Sequence, residues 1–281
     1  MPVPTVVLLH GQPDSSASFW SLRRQLRSRL DPAIRITAPD RPGYGANPRP
    51  VSDFRGNVDW LKSWLRSIDA GPTVVVGHSW AGGIGVLAGA SVPSVLAGLV
   101  LVSSIGPYCL LPIDSVLGAP LIGEIIAFTT LRLGGPLIRH SAATTIRAHL
   151  LPADVPYAKA SGFAMAHRPL WRTFLQEQRT LIRDLDDISA ALPSVGVATL
   201  VVDGTDDQLI PGRTPTELSR QIPGARRVRI AGAHDLQLKQ PAELAGHIAD
   251  FVTPLLTGGD RLVGEAAETA ETTGPIGTVG S

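Results

Sequence analysis

Residues 73–85, with the sequence TVVVGHSWAGGIG, constrain the fold of this 281-residue chain more than any other stretch. The β-branched residues at its start predict a short buried strand, and the Gly- and Ala-rich run after Ser79 predicts a helix. Because Gly77 and Ala81 have little or no side chain, the chain can turn sharply between these elements and hold the Ser79 hydroxyl clear of the sheet. The helix begins near Trp80 and directs its positive end toward that hydroxyl.

Further short apolar or alternating runs predict the other strands of the same sheet. Amphipathic segments separate them, so strands and helices alternate as in an α/β fold with a mostly parallel sheet and helices on both faces. The last run alternates polar and apolar residues, which is typical of a half-exposed edge strand. With the strand near 73–76, the prediction is a sheet of about six strands, the others being near residues 5–9, 34–38, 99–102, 198–202 and 226–230.

The strand rhythm stops between residues 105 and 193, which we call the cap segment. Its sequence is amphipathic and helix-like, with frequent prolines. Because it is inserted between two strands of one sheet, we expect it to lie over the strand ends, where ligands bind in open α/β sheets. The predicted core is therefore made of residues 1–104 and 194–257. Residues 258–281 are rich in Gly, Thr, Glu and Ala without periodicity, and we expect a disordered tail.

Composition restricts the partners and the compartment. The formal net charge is +1, and no basic patch with interleaved aromatic residues points to nucleic acid. Cys109 is the one cysteine, which excludes an internal disulfide and fits a reducing, cytoplasmic location. Residues 70–113 contain no Asp, Glu, Lys or Arg, but Gly and Pro divide them into pieces too short to span a membrane. No spacing of Cys and His predicts a metal site.

Two motifs resemble those of the α/β-hydrolase family. The sequence GHSWA at residues 77–81 is similar to the family's nucleophile elbow, usually Gly-x-Ser-x-Gly, with Ala in the last place. The sequence HGQ at residues 10–12 is similar to the loop whose backbone N–H contributes to the family's oxyanion hole. The resemblance covers nearly the whole folded part. It implies that Ser79 is the nucleophile and that the N–H groups of Gln12 and Trp80 bind the oxyanion.

The segments after the last two strands extend the resemblance. The spacing Gly-x-x-Asp-x-x-x-Pro at residues 204–211 is similar to the family's acid loop and singles out Asp207, with Asp206 as the alternative. His234 follows the last strand and is similar to the family's catalytic histidine. The order Ser79, Asp207, His234 is the chain order of the family's triad.

The resemblance has two further implications for the N-terminal part. DRPGYG at residues 40–45 is similar to a family loop, and we expect Asp40 and Arg41 to be structural, with Tyr44 as a candidate for the pocket rim. Family members usually have a two-strand hairpin before the His-Gly loop, and residues 1–9 leave no room for one. We therefore expect six strands rather than eight.

The resemblance implies a serine hydrolase that cleaves a small-molecule ester, thioester or lactone through an acyl-enzyme, without a cofactor. His234 would take the proton of Ser79, and Asp207 would orient the imidazole. A Ser nucleophile argues against the dehalogenase and epoxide-hydrolase branches of the family. The alternatives are C–C bond hydrolysis, acyl transfer or perhydrolysis on the same triad, and a non-catalytic small-molecule-binding protein. The partner is expected to be an apolar small molecule, whereas its identity and the oligomeric state are not predicted.

Overall fold

A computed structural model describes residues 1–133 and 170–257. Its strands are β1 (Val3–Leu9), β2 (Arg35–Thr37), β3 (Ala70–His78), β4 (Leu96–Val102), β5 (Ala198–Gly204) and β6 (Arg226–Ile230). They form one six-stranded sheet in the order β2-β1-β3-β4-β5-β6, and every adjacent pair is parallel. The predicted sheet is confirmed. The predicted tail, residues 258–281, and residues 134–169 of the cap segment lie outside the described residues.

The described helices connect or flank these strands. They are α1 (Trp20–Arg27), α2 (Phe54–Ser67), α3 (Ala81–Ser91), α4 (Pro112–Gly118), α5 (Ile122–Ala127), α6 (Leu170–Ala191), α7 (Arg213–Gln221), α8 (Leu236–Lys239) and α9 (Pro241–Thr257). A π-helical turn, Phe128–Leu133, follows α5. Helices α2, α3, α6 and α7 pack on one face of the sheet, and α1, α8 and α9 pack on the other. The described parts of the cap segment thus contribute α4, α5 and α6.

The central strands are apolar because both of their faces are covered. In β3, the side chain of Val75 joins the core on the α3 side, whereas Val74 and Val76 join the core on the α9 side. All three side chains are fully buried. Successive strand residues point to opposite faces, so a strand between two helical layers needs an unbroken apolar run. That run holds β3 firmly at the centre of the sheet, with its carboxyl end leading into Ser79.

Helix α2 supports the turn after β3 from the side. Asp53 caps this helix, its side chain accepting a hydrogen bond from the N–H of Gly56 at 2.8 Å, a contact of the kind worth about 1 kcal/mol. In the first turn of α2, the ring of Phe54 stacks on the ring of Trp80 with centroids 3.9 Å apart. Both rings are fully buried. The start of α2 therefore fixes the residue that follows Ser79.

Among the helices of residues 1–133 and 170–257, no single helix is long and apolar enough to cross a membrane. The segments Pro112–Gly118 and Ile122–Leu131 meet the criteria only as a pair, and they are bent by 104° relative to each other.

Candidate active site

The predicted site residues all follow the carboxyl ends of strands. Gln12 comes after β1, Ser79 after β3, Asp207 after β5 and His234 after β6. Because the strands are parallel, these ends lie at one edge of the sheet, where open α/β sheets bind their ligands. The topology alone therefore brings together four loops that are far apart in the sequence.

Ser79 occupies a strained turn. Its φ angle is +53°, in the left-handed region that costs a non-glycine residue on the order of 1–3 kcal/mol. The backbone holds it there, since its N–H donates to the carbonyl of Val102 at 3.0 Å and its own carbonyl accepts from the N–H of Ile105 at 3.2 Å. Its side chain is partly exposed although His78 and Trp80 on either side are buried. The turn thus leaves Ser79 partly accessible at the carboxyl end of β3.

Two glycines let three segments meet around this turn. A side chain on Gly77 would place its Cβ 2.7 Å from the carbonyl oxygen of Ala81, at the start of α3. A side chain on Gly11 would place its Cβ 2.9 Å from the Cβ of Ser79. Both separations are too short for real contacts, so only glycine fits. The loop after β1 therefore packs directly against the serine.

Asp207 and His234 form a hydrogen-bonded pair. The Nδ1 of His234 lies 2.9 Å from the Oδ2 of Asp207, and the other carboxylate oxygen accepts from the N–H groups of Leu209 and Ile210 at 2.9 and 3.0 Å. Burial alone would raise the pKa of Asp207. The hydrogen bond and the charge of His234 oppose this effect, and the two backbone donors add a smaller contribution, so the pKa lies below its ordinary value. The ionised carboxylate keeps the imidazole proton on Nδ1 and leaves Nε2 as an acceptor.

The other two carboxylates of this loop have different partners. Asp203 forms ion pairs with Arg227 at 2.7 Å and Arg229 at 3.3 Å. Asp206 accepts a hydrogen bond from the hydroxyl of Thr205 at 3.1 Å. Of the three, only Asp207 hydrogen-bonds to His234.

His78 links the turn to the histidine loop. Its Nε2 donates to the carbonyl oxygen of His234 at 3.2 Å, and the two rings have centroids 4.9 Å apart. Burial, together with the charge of His234, lowers the pKa of His78 to about 3, so its ring is neutral. Sequence reasoning did not identify this contact, because a residue inside the elbow motif gives no signal of a partner in a distant loop.

The hydroxyl of Ser79 makes no hydrogen bond among the described residues. The structure thus forms the contact between Asp207 and His234 and brings the histidine loop beside the turn, without closing a hydrogen bond to the serine. Such contacts are often long in enzymes without substrate.

The two predicted oxyanion donors are the backbone N–H groups of Gln12 and Trp80. Neither the backbone N–H of Gln12 nor that of Trp80 donates to another group among the residues that the structure describes. Trp80 directly precedes the first residue of α3, where the helix dipole adds positive potential. Free N–H groups beside a nucleophile are what stabilisation of an oxyanion requires.

A buried polar cluster lies beneath the loop after β1. Arg41 is fully buried and forms an ion pair with Glu177 of α6. Its Nε donates to the carbonyl of His10 at 2.7 Å, and its Nη2 donates to the carbonyl of Gly11 at 2.9 Å. Tyr44 is also buried and donates from its hydroxyl to Glu177 at 2.6 Å. Tyr44 is therefore part of this cluster, not of a pocket rim.

Sequence reasoning missed Glu177. A signal exists in the buried face of α6, which repeats at helical spacing through Leu170, Thr173, Glu177 and Leu181. A carboxylate in an otherwise apolar register is buried only when it is paired. The identity of its partner is not contained in that pattern.

The described residues were compared with two other kinds of site, a metal centre and a surface groove. Among the described residues, no group of three or more His, Cys, Asp or Glu side chains is arranged to hold a metal ion. A groove of about 730 Å³ lies between α6 and residues 51–53, and its lining includes Trp171, Arg172 and Arg183. It contains none of the predicted site residues.

The model of the Alpha/beta hydrolase family matches residues 6–247 of this sequence. The chain belongs to this family. The fold and the family predicted from the elbow and its neighbouring loops are both confirmed.

Comparison with individual proteins gives similarity to several hydrolases. The 2-hydroxymuconate semialdehyde hydrolase of Pseudomonas sp. (strain CF600) is 26% identical over 262 residues, which cover 88% of this chain and 86% of that protein. A thermophilic esterase from Thermogutta terrifontis superposes with a TM-score of 0.69 at 20% identity, covering 91% of each chain. The haloalkane dehalogenase DbeA from Bradyrhizobium elkani USDA94 gives a TM-score of 0.68 at 19% identity, covering 91% of this chain and 92% of that one. The two structures share the fold.

Proposed function

We propose that the protein is a serine hydrolase that cleaves a small-molecule ester, thioester or lactone with Ser79, Asp207 and His234. The observation that carries this proposal is the 2.9 Å contact between His234 Nδ1 and Asp207, formed beside a strained serine turn. A histidine oriented in this way by a carboxylate presents Nε2 as a base. Family membership supports a hydrolase in general. The serine, with Asp207 and His234 beside it, supports the more specific proposal that the bond cleaved is an acyl bond.

In the proposed reaction, Ser79 Oγ attacks the acyl carbon while His234 Nε2 takes the hydroxyl proton. Asp207 stabilises the imidazolium, and the N–H groups of Gln12 and Trp80 hold the oxyanion. The imidazolium then gives its proton to the leaving group, and an acyl-enzyme remains on Ser79. A water, deprotonated by His234, attacks the acyl carbon, and collapse of the second tetrahedral intermediate returns the proton to Ser79.

Two further proposals concern the surroundings of this site. The cap segment covers the strand ends and selects the substrate, which the contact between Glu177 of α6 and Arg41 supports. The lone cysteine, Cys109, supports a cytoplasmic location, because a chain without an internal disulfide fits a reducing compartment.

C–C bond hydrolysis is the second candidate. It is favoured by the similarity to the 2-hydroxymuconate semialdehyde hydrolase, which extends over most of both chains. A semialdehyde contains no ester bond. The reaction named for this relative therefore breaks a different bond from the one in an ester hydrolysis. The same serine turn and the same pair of Asp207 and His234 would serve either reaction.

The test is a screen of p-nitrophenyl esters of increasing acyl length, with 2-hydroxymuconate semialdehyde measured in parallel. We expect ester turnover and labelling of Ser79 by a fluorophosphonate. In Ser79→Ala, kcat should fall by on the order of 10⁴-fold or more, without a change in melting temperature, since alanine fits the same turn. Ser94→Ala, at an exposed serine, is the control that should keep full activity.

Each alternative predicts its own result. Preference for the semialdehyde, with dependence on Ser79, would favour C–C hydrolysis. A folded protein that neither turns over substrate nor reacts with the fluorophosphonate would indicate a binding protein. Wild-type turnover by Ser79→Ala would contradict the assignment of the nucleophile.

A further inference from the structure

We propose that helix α6 positions the oxyanion-hole loop through two adjacent side chains, Glu177 and Gln178. This inference rests on the hydrolase function proposed above and adds to it two positioning residues from the cap segment. Among the described residues, neither side chain is hydrogen-bonded to Ser79 or His234. Glu177 acts on the loop through Arg41 and contacts Trp80 with its backbone carbonyl, whereas Gln178 binds the side chain of Gln12 directly.

Glu177 orients the guanidinium that holds the loop from below. Both of its carboxylate oxygens accept from Arg41, one in an ion pair and the other at 3.2 Å from Nη2. Arg41 in turn donates to the carbonyls of His10 and Gly11, the two residues before Gln12. One guanidinium thus connects the carboxylate to two consecutive peptide groups. The second of them, which joins Gly11 to Gln12, also carries the proposed oxyanion N–H.

The loop is also held from the side of its histidine. His10 donates from Nδ1 to the carbonyl of Gly11 at 2.9 Å, while its Nε2 accepts from the backbone N–H of Arg41 at 3.0 Å. Burial and the charge of Arg41 lower the pKa of His10 to about 3, so this ring is neutral and keeps one tautomer. Arg41 therefore contacts the loop through both its side chain and its backbone.

The same glutamate also contacts the second donor. The indole Nε1 of Trp80 donates to the backbone carbonyl of Glu177 at 3.2 Å. The guanidinium of Arg41 lies over the indole ring, with its Cζ 4.5 Å from the ring centroid. Trp80 is therefore fixed by the residues that fix the loop after β1.

Gln178 holds the side chain of Gln12 itself. Its Oε1 accepts from Gln12 Nε2 at 2.8 Å, and its Nε2 donates to Asp114 of α4 at 2.8 Å. Asp114 uses its other oxygen to accept from the N–H of Leu111 at 2.6 Å. Gln12 is thereby tied to two helices of the cap segment. Its Oε1 is buried without a partner among the described residues, so Nε2 provides the only hydrogen bond that anchors this side chain there.

Burial explains why these side chains can hold the loop after β1 in a defined position. Glu177 is fully buried, and burial raises the pKa of its carboxyl while the charge and hydrogen bonds of Arg41 counter part of that rise. A buried ion pair keeps a defined geometry because any departure leaves a charge unpaired. An oxyanion donor must lie within about 2.7–3.1 Å of the developing charge, and loss of one costs roughly 10²–10³ in rate. Small displacements of Gln12 should therefore reduce the rate.

The experiment compares Gln178→Met and Glu177→Gln in the full chain with Asp186→Asn, an exposed carboxylate on the same helix. Methionine has a volume close to glutamine and removes both hydrogen bonds. We expect kcat on the best ester to fall about 10- to 100-fold in Gln178→Met, with KM within about twofold and the control unchanged. A trifluoromethyl ketone forms an oxyanion on the serine, and its inhibition constant should rise by the same factor as kcat/KM falls.

The two readouts separate positioning from stability. A variant that is only destabilised would have a lower melting temperature but normal kcat per folded molecule and normal ketone affinity, which would overturn the inference. If Glu177→Gln does not fold, Gln178→Met alone decides the question. An inactive wild-type protein that no fluorophosphonate labels would instead overturn the proposed function, and this inference with it.

Discussion

At the scale of single residues, the proposed acid of the site is chosen by the direction of two adjacent side chains. Asp207 reaches His234, whereas Asp206 accepts from the hydroxyl of Thr205. Asp207→Asn keeps the shape but favours the wrong imidazole tautomer, and the same change costs about 10⁴ in kcat in the best-studied serine triad. We expect a loss of that order here.

The neighbouring residue provides the matched control for this prediction. Asp206→Asn should alter kcat on the same ester by no more than a few fold, because its side chain does not touch the histidine. Melting curves of both variants would confirm that each is folded. A larger loss of kcat in Asp206→Asn than in Asp207→Asn would show that the alternative acid is the right one.

Asp14, in the loop after Gln12, makes stability depend on pH. Burial raises its pKa to about 7, and Asp235 adds to the rise. Between pH of about 4 and 7 the folded protein holds a proton that the unfolded chain has released, so this residue makes the free energy of unfolding fall as pH rises through that window. Asp14→Asn should flatten the fall, as measured by urea unfolding from pH 4 to 8. An equal change in slope for exposed Asp186→Asn would contradict the assignment.

At the scale of elements, the junction between β3 and α3 depends on Gly77. A Cβ there would lie 2.7 Å from the backbone oxygen of Ala81, and a backbone atom cannot move aside as a flexible side chain can. We expect Gly77→Ala to lower the free energy of unfolding by about 1–3 kcal/mol, a cost typical of overpacking, and to displace Ser79. Gly212→Ala is the control, since nothing lies within 4 Å of its added methyl group. Equal stability of the two variants would argue against a close-packed elbow.

The strands were predictable because their causes are local. Apolar runs such as that of β3 follow from burial on both faces of the sheet. The contact between Arg41 and Glu177 joins residues 136 positions apart. No local pattern contains that pairing, so the sequence predicts a structural role for Arg41 and an amphipathic, helix-like cap segment without connecting the two.

At the scale of the whole molecule, parallel strand topology made the site predictable in outline. Once each candidate followed a strand, a shared sheet edge was implied for Gln12, Ser79, Asp207 and His234. The choice among three carboxylates and the link between His78 and the loop of His234 depend on side-chain directions that strand order does not determine. Strand order also does not determine whether the hydroxyl of Ser79 forms a hydrogen bond with His234, and none is formed here.

The sheet order has one more consequence, because the site is divided along the chain. Residues 1–104 contain Gln12 and Ser79, residues 194–257 contain Asp207 and His234, and the two parts meet where β4 pairs with β5 over five residues. Neither part holds all three residues of the proposed triad. With the function proposed above, we expect a chain cut between residues 133 and 170 to behave as a split enzyme, whose turnover reports how many fragment pairs have reassembled along that seam.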